Sequence, residues 1–139
     1  MREAEVFEKQ LAESFRKHGY KPELTSTSSD RGIDILLHSG RETIAVQAKY
    51  YSDGNNVGSP TIQKAAGLLQ RRDIDGVVVV TTSGFTDEAQ TVASNRGVQL
   101  LHSTSNGRLN NSGVAGATYE SKKAEEIGPG ITWEERDGN

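Results

Sequence analysis

The sequence predicts an α/β domain in which helices pack against a β-sheet, in the order α-β-β-β-α-β-α-β. Three observations indicate it: a helical apolar period near the N-terminus, two alternating runs joined by a two-residue turn, and a continuous apolar run at 76–82 with helical patterns on both sides. At 139 residues the chain has the length of one domain with a single sheet-and-helix core.

The first helix is predicted over residues 3–18. Its apolar residues recur at helical spacing and form one stripe, which consists of Ala4, Phe7, Leu11 and Phe15. Gly19 follows directly, as is typical of a helix end. Residues 20–26 then predict the first strand.

A β-hairpin follows this strand. The runs 33–39 and 42–49 both alternate between apolar and polar residues, and Gly40-Arg41 lies between them. A two-residue loop that begins with glycine suits a type II′ turn. This turn sets the register of the hairpin, with Ser39 opposite Glu42.

The same register predicts which side chains the hairpin brings together. It places Asp34 directly opposite Gln47, and directly opposed residues share a face of the sheet. Alternation sends the apolar side chains to the other face, namely Ile33, Ile35, Leu37, Ile44, Val46 and Ala48. The hairpin is therefore expected to bury one face and to gather Asp34, Gln47 and Lys49 on the other.

The remaining elements follow a turn-rich link at residues 52–56. Ser59-Pro60 predicts a helix start, a cap followed by a first-turn proline, and the helix runs to Arg72 with an apolar stripe of Ile62, Ala65, Ala66 and Leu69. The run 76–82 predicts a strand buried on both faces.

A third helix and a last strand complete the predicted core. Thr86 caps this helix, with Asp87 and Glu88 in its first turn, where acidic side chains are favourable. The helix ends near Gly97, and residues 98–101 predict the strand.

The chain changes in character after His102. Residues 103–139 are rich in Gly, Ser, Asn and charged residues and show no sustained apolar period. We therefore divide the chain into a core domain at 1–102 and a polar, flexible tail at 103–139. One short element is expected in the tail, at 119–127, and Trp133 lies beyond it.

The composition excludes several kinds of site. The chain has no cysteine, which rules out thiol catalysis and cysteine-bound zinc. No apolar run approaches the roughly 20 residues of a membrane span, and residues 1–5 lack a signal-peptide pattern, so we expect a cytoplasmic protein without a membrane partner. The net charge of −3 is unfavourable for a DNA partner. However, Lys and Arg residues gather between residues 16 and 72, where a locally basic face could bind phosphates.

A set of short motifs is distributed along residues 5–102. They are F-E at 7–8, G-Y at 19–20, D-R-G-I-D at 30–34, V-Q-A-K at 46–49, V-G at 57–58 and V-V-V-T-T-S-G-F-T at 78–86. Together they resemble the Mrr-type restriction endonuclease domain of the PD-(D/E)xK nuclease superfamily, whose signature ends in Q-x-K where most relatives carry E-x-K. The resemblance implies a restriction-endonuclease-like core with a mixed central β-sheet flanked by helices.

The resemblance also implies a catalytic set of Glu8, Asp34, Gln47 and Lys49, with a metal held by Asp34, Gln47 and the backbone carbonyl of Ala48. The expected ion is Mg²⁺, a hard cation that prefers oxygen ligands, with Mn²⁺ as a substitute. Gln47 offers only a neutral amide oxygen, so we expect looser metal binding in the absence of substrate phosphate. Lys49 would stabilise charge on the scissile phosphate or position the attacking water, and cleavage would leave a 5′-phosphate.

Helical phase supports Glu8 as the acidic residue of the first helix. At about 100° per residue, Glu8 falls on the edge of the apolar stripe and can face the sheet, whereas Glu13 faces water. Glu5 is a poorer substitute. The alternative is that Glu8 is an ordinary helix residue, since acids are favourable in the N-terminal half of a helix.

Other polar residues carry weaker signals, each with a structural alternative. Gln63 could contact the site or lie on the surface, and Asp30-Arg31 could approach phosphate or form a turn. Tyr50-Tyr51 could stack on bases or pack at the sheet edge. The three histidines have no metal-ligand spacing.

The function predicted on these grounds is a metal-dependent, Mrr-like DNA endonuclease that hydrolyses phosphodiester bonds. Two alternatives stay open: a Holliday-junction-resolving or repair nuclease of the same fold, and a DNA-binding module that cuts slowly or not at all. Mrr-type nucleases commonly carry a separate recognition domain, for which we expect no room beside this core. We therefore expect target choice to come from a separate specificity partner, from homodimerisation or from DNA structure.

Overall fold

The computed structural model describes residues 3–25, 32–51 and 54–110. Its elements in chain order are α1 (Glu3–Lys17), β1 (Lys21–Leu24), β2 (Ile35–Ser39), β3 (Glu42–Lys49), α2 (Ser59–Gly67, continued by a 3₁₀ turn at Leu68–Gln70), β4 (Gly76–Thr81), α3 (Asp87–Arg96), β5 (Gln99–Ser103) and β6 (Leu109–Asn110). The predicted order is confirmed, and a two-residue strand follows it.

The strands form one mixed sheet in the order β1-β2-β3-β4-β5-β6. The first three strands are antiparallel, β3, β4 and β5 are parallel, and β6 is antiparallel to β5. The carboxyl ends of β3 and β4 therefore lie side by side at one edge, with Lys49 paired to Thr81. The predicted fold class, a mixed sheet flanked by helices, is confirmed.

Helices cover both faces of this sheet. α1 packs on one face, against a cluster that includes Ile35, Leu37, Ile44, Val46, Val78 and Val80. α2 and α3 pack on the other face, against a cluster that includes Ala45, Val77, Val79 and Leu100. The expectation that only one face of the hairpin is buried was wrong, because Ala45 on the second face is also completely buried.

The hairpin register is confirmed from the turn to Ile35 but not beyond it. Ser39 lies opposite Glu42 and Ile35 opposite Val46, and Gly40 has the positive φ of 61° that a primed turn requires. However, the backbone N–H of Asp34 also donates to the Val46 carbonyl, at 2.8 Å. Asp34 and Ile35 thus both lie opposite Val46, as in a β-bulge.

The bulge corrects two predictions about side-chain direction. Ile33 packs in the α2–α3 cluster and not with Ile35, because the irregular backbone breaks the alternation. Asp34 does not share a regular pair with Gln47, since it lies one residue outside the strand ladder. Bulges commonly re-aim a side chain beside a functional site.

The helix starts were predicted to within one residue. Thr86 caps α3 as predicted, with its Oγ1 accepting a hydrogen bond from the Ala89 N–H at 3.1 Å. α2 begins at Ser59 itself with Gly58 as the cap residue, so the assignment of Ser59 as cap was wrong by one position.

Gly67 stands inside the continuous helical segment formed by α2 and its 3₁₀ turn. Its φ of −60° and ψ of −25° are ordinary right-handed helical values, so the backbone does not require glycine. A helical glycine costs about 0.5–1 kcal/mol relative to alanine. A Cβ built on Gly67 would have no neighbouring atom within 4 Å.

Strand pairing continues beyond residue 102, where the domain boundary was predicted. β5 extends to Ser103 and pairs with β6, and the connecting turn packs on α1, where Ser14 Oγ donates to the Gly107 carbonyl at 2.6 Å. The predicted boundary falls inside β5. The predicted element at 119–127 and Trp133 lie outside the described residues.

Candidate active site

Two acidic side chains meet between α1 and the bulge. Glu8 is partly buried on the sheet side of α1, as the helical phase predicted, whereas Glu13 is exposed. The carboxyl group of Glu8 hydrogen-bonds the carboxyl group of Asp34. Asp34 is fixed in turn, because its Oδ2 accepts a hydrogen bond from the Ala48 N–H at 2.7 Å.

This pair retains a proton near neutral pH. Burial, followed by the charge of Asp34 and their shared hydrogen bond, raises the pKa of Glu8 to about 7. Burial also raises the pKa of Asp34, although the Ala48 N–H and the Lys49 ammonium oppose that shift. Two carboxyl groups in contact disfavour simultaneous ionisation, so Glu8 ionises only as the pH rises through about 7.

Lys49 and Gln47 lie on the other side of β3 from Ala48. Both line a cleft against α2, whereas Ala48 packs toward the α1 cluster. Lys49 is close enough to Asp34 for its charge to lower the pKa of that carboxyl group. The end of β3 therefore brings Asp34, Ala48, Gln47 and Lys49 to one edge, and α1 adds Glu8.

Gln47 packs against the backbone at Gly32. A Cβ at Gly32 would lie 3.1 Å from Gln47 Nε2, and Gly32 has a φ of +93°. Glycine at this position thus allows both the turn before the bulge and the close approach of the amide. Asp30 and Arg31, which precede it, lie outside the described residues.

Two threonines at the end of β4 hold the end of β3 in place. Thr81 is fully buried, and its Oγ1 donates to the Lys49 carbonyl at 3.0 Å. Thr82 Oγ1 accepts from the Tyr51 N–H at 2.9 Å and donates to the Tyr51 carbonyl at 3.1 Å. Sequence reasoning missed this role. The signal in the sequence was that the apolar run of β4 ends in two threonines, and β4 pairs with β3, the strand that carries Q-x-K.

Both tyrosines after β3 pack against the core. The ring of Tyr50 lies 5.3 Å from the ring of Phe7, centroid to centroid, and Tyr51 packs on the α2–α3 cluster. The contact with Phe7 joins α1 to the end of β3 directly beside Glu8 and Lys49. Packing at the sheet edge is therefore the arrangement the structure shows for this tyrosine pair.

The donor set of the site fits a hard cation. It offers the carboxylates of Glu8 and Asp34, the amide oxygen of Gln47 and the carbonyl oxygen of Ala48, all oxygen ligands of the kind that Mg²⁺ prefers. In an extended strand the N–H and C=O of one residue point to the same side, so the Ala48 carbonyl points toward Asp34. Across residues 3–25, 32–51 and 54–110, no group of three or more His, Asp or Glu side chains could hold a metal ion. Neutral oxygens would therefore have to complete the coordination shell of the ion.

The cleft beside Lys49 has a volume of about 670 Å³ and is walled by α2. Its lining combines small, apolar and basic residues, namely Gly32, Gln47, Lys49, Pro60, Thr61, Lys64, Ala65, Gly67, Leu68 and Arg71. Gln63 is exposed and is not part of that lining. Sequence reasoning identified the basic residues of this region but not the cleft.

The sequence matches the model of the Mrr_cat family, described as restriction endonuclease, over residues 2–105. Among curated proteins it is 31% identical over 88 residues to an uncharacterized protein, y4cE, of Sinorhizobium fredii. That match covers 60% of this chain and 22% of the relative. The chain therefore spans about a fifth of the length of this curated relative.

Solved structures with the same fold include two restriction endonucleases. MspJI, determined in complex with a 27-mer oligonucleotide, has a TM-score of 0.55 at 23% identity, covering 98% of this chain and 36% of MspJI. AspBHI, a DNA modification-dependent restriction endonuclease, has a TM-score of 0.50 at 18% identity, covering 98% of this chain and 38% of AspBHI. AF1548, a protein of unknown function, has a TM-score of 0.58 at 15% identity, covering 70% of this chain and 58% of AF1548.

Proposed function

Because this chain belongs to the Mrr_cat family of restriction endonucleases, we propose that it is a metal-dependent DNA endonuclease of the Mrr restriction type. The observation that carries the proposal is the contact between the carboxyl groups of Glu8 and Asp34 beside Lys49. Two carboxyl groups in contact, next to a lysine at a strand end, suit phosphodiester hydrolysis.

The proposed roles follow from these positions. Asp34, Gln47 and the Ala48 carbonyl hold Mg²⁺, or Mn²⁺ in its place, and Glu8 completes the acidic side of the site. When bound, such an ion lowers the pKa of water and offsets charge on the phosphate.

Lys49 acts on the substrate in this proposal. Its ammonium stabilises negative charge on the scissile phosphate or positions the attacking water, and the product carries a 5′-phosphate. Thr81 and Thr82 bind the backbone carbonyl of Lys49, so the backbone from which Lys49 projects is held by the sheet and not by a loop.

Cleavage of supercoiled plasmid tests the proposal most directly. We expect nicking with Mg²⁺ or Mn²⁺, none with EDTA, and none by Lys49→Ala under any of these conditions. Lys17→Ala is the matched control, because Lys17 is exposed on α1, on the opposite face of the sheet from the cleft. Equal nicking by Lys49→Ala and wild type would contradict the assignment of the site.

Gln47 favours a second candidate, a DNA-binding module that cuts slowly or not at all. With an amide in place of a carboxylate, the site has one negative charge fewer to hold a metal. Salt-sensitive DNA binding without metal-stimulated nicking of methylated or unmethylated plasmid supports this candidate. Cleavage restricted to four-way junctions instead supports a junction-resolving or repair nuclease.

The partners and setting belong to the same proposal. A concerted double-strand cut needs two nuclease domains, so we propose that the chain acts as a homodimer, with target choice supplied by a separate specificity partner or segment. We propose a cytoplasmic setting, where the DNA is. In the part of the chain that the structure describes, no helix is both long and apolar enough to cross a bilayer.

A further inference from the structure

One stripe of α2 forms a basic wall along the cleft beside Lys49. Thr61, Lys64, Leu68 and Arg71 recur at three- and four-residue intervals, so they lie on one side of the helix. Lys64 and Arg71 are both exposed. Among the described residues that line the cleft none is acidic, although the chain as a whole carries a net charge of −3.

The two basic residues differ in their surroundings. Arg71 binds Asp73 through two hydrogen bonds, of 3.1 Å and 2.8 Å, on the exposed surface. Arg71 keeps its positive charge in this pair, because a guanidinium is not deprotonated in proteins. Lys64 presents its charge on the same wall, two helical turns closer to Pro60.

Gly67 lies on this wall between Lys64 and Arg71. Its backbone is ordinary helix, and a Cβ there would meet open space, so neither conformation nor internal packing explains a residue that weakens the helix. The fold itself does not require glycine at this position. A ligand that comes close to the helix backbone here would require it, because a side chain would fill the space. The glycine is thus a second observation, independent of charge, that points to an occupant of the cleft.

We propose that this cleft binds the phosphate backbone of the DNA next to the scissile phosphate, with Lys64 and Arg71 as its phosphate-contacting residues and Gly67 as the point of closest approach. The inference rests on the proposed nuclease function and adds the path of the substrate. Seven residues of helix span about 10–12 Å. One strand of DNA rises 3.4 Å along the duplex axis per nucleotide, so a wall parallel to that axis covers about three nucleotides.

Salt-dependent DNA binding tests the two cationic positions. The binding of a fluorescently labelled duplex is followed by anisotropy in EDTA over a series of KCl concentrations, for wild type, Lys64→Ala, Arg71→Ala and Lys17→Ala. The slope of log K against log salt is negative, and each phosphate contact that is lost should reduce its magnitude by about 0.9. The loss should also weaken binding to all DNA sequences alike. We expect this decrease in the two cleft variants and not in Lys17→Ala.

Gly67 gives a test in which stability and binding change in opposite directions. Gly67→Ala should raise the melting temperature by about 2–4 °C, and Gly67→Gln should also leave the helix intact. Both should weaken DNA binding, the longer side chain by more, because each fills space reserved for the ligand. Fluorescence of the unfolding transition reports stability in the same samples.

The outcomes separate this inference from the proposed function. If wild type binds and nicks DNA but the cleft variants keep the wild-type salt slope and affinity, the path is wrong and the nuclease proposal stands. If wild type nicks plasmid but binds no DNA in EDTA at any salt concentration, the path is wrong and the nuclease proposal stands; if it neither nicks nor binds DNA, both are overturned. Unchanged DNA binding in both Gly67 variants would show that nothing approaches the helix there and would also overturn the path.

Discussion

The carboxyl groups of Glu8 and Asp34 share a hydrogen bond, although they come from opposite sides of the gap between α1 and β2. Two features bring them together: the packing of α1 on the sheet, and the bulge that turns Asp34 out of the strand ladder. The contact is unfavourable once both groups ionise, so this site opposes folding in the absence of a cation. The first two predictions follow from this property.

We predict that Glu8→Gln stabilises the metal-free protein at alkaline pH. The folded-state pKa of Glu8, about 7, lies above its ordinary value of 4.5, so the folded state binds more protons than the unfolded state between these values. Stability from this group is therefore present at acidic pH and is lost as the pH rises through 7. Gln keeps a hydrogen-bond donor for Asp34 without the charge.

Thermal unfolding in EDTA at acidic and alkaline pH measures this effect. The variant should be more stable than wild type at alkaline pH, on the order of 1 kcal/mol after allowance for solvent screening, and the difference should shrink at acidic pH. Glu13→Gln is the matched control, because Glu13 is exposed on the same helix. A difference that does not vary with pH would contradict the raised pKa.

Divalent metal is predicted to stabilise the fold through Asp34, and more strongly as the pH rises. The ion competes with the proton held by the pair, so its apparent affinity should increase as the pH approaches and passes 7. At a concentration of 100 times the dissociation constant, the stabilisation is about 2.7 kcal/mol.

Thermal unfolding with Mg²⁺ or Mn²⁺ over a range of pH measures this dependence. Asp34→Asn should lose the stabilisation, whereas Asp73→Asn, a matched change at an exposed carboxylate, should keep it. Equal stabilisation of Asp34→Asn and wild type would place the ion elsewhere.

Gln47→Glu should tighten metal binding, because it adds a charged oxygen ligand of the same length. Calorimetric titration with Mg²⁺ in the absence of DNA should show a lower dissociation constant than in wild type. Gln63→Glu is the control, since it adds the same charge on an exposed residue outside the cleft. If both variants bind Mg²⁺ equally, the amide of Gln47 is not at the metal.

The hairpin and the helix stripes could be predicted because each rests on a repeated pattern. Alternation and the Gly40 turn fixed the register as far as Ile35. The bulge at Asp34 could not be predicted, since one extra residue at the end of a run leaves the sequence pattern unchanged. Helical period likewise identified Ile62 and Ala65 as core, but it could not show that the outer side of α2 borders a cleft, because exposed basic residues are common on any helix.

Thr81→Val is predicted to loosen the end of β3. The substitution keeps the shape of a fully buried side chain but removes the donor to the Lys49 carbonyl, so it should cost on the order of 1 kcal/mol of stability. Because Lys49 projects from that backbone, kcat for plasmid nicking should fall by more than binding of DNA does. Thr91→Val, an exposed hydroxyl that bonds only within α3, should change neither.

Gly107→Ala should destabilise the fold and so test whether the domain extends beyond residue 102. A Cβ at this position would lie 2.7 Å from the backbone N of Leu11, and Gly107 has a φ of +82°. Since neither the α1 backbone nor a left-handed conformation accommodates a side chain readily, the cost should reach about 1–3 kcal/mol. Denaturant unfolding measures it, with Gly40→Ala as a control that has a positive φ but no atom within 4 Å of its Cβ. A loss no greater than that of the control would mean that the turn at Gly107 does not pack on α1 in solution, and that the folded core ends with β5.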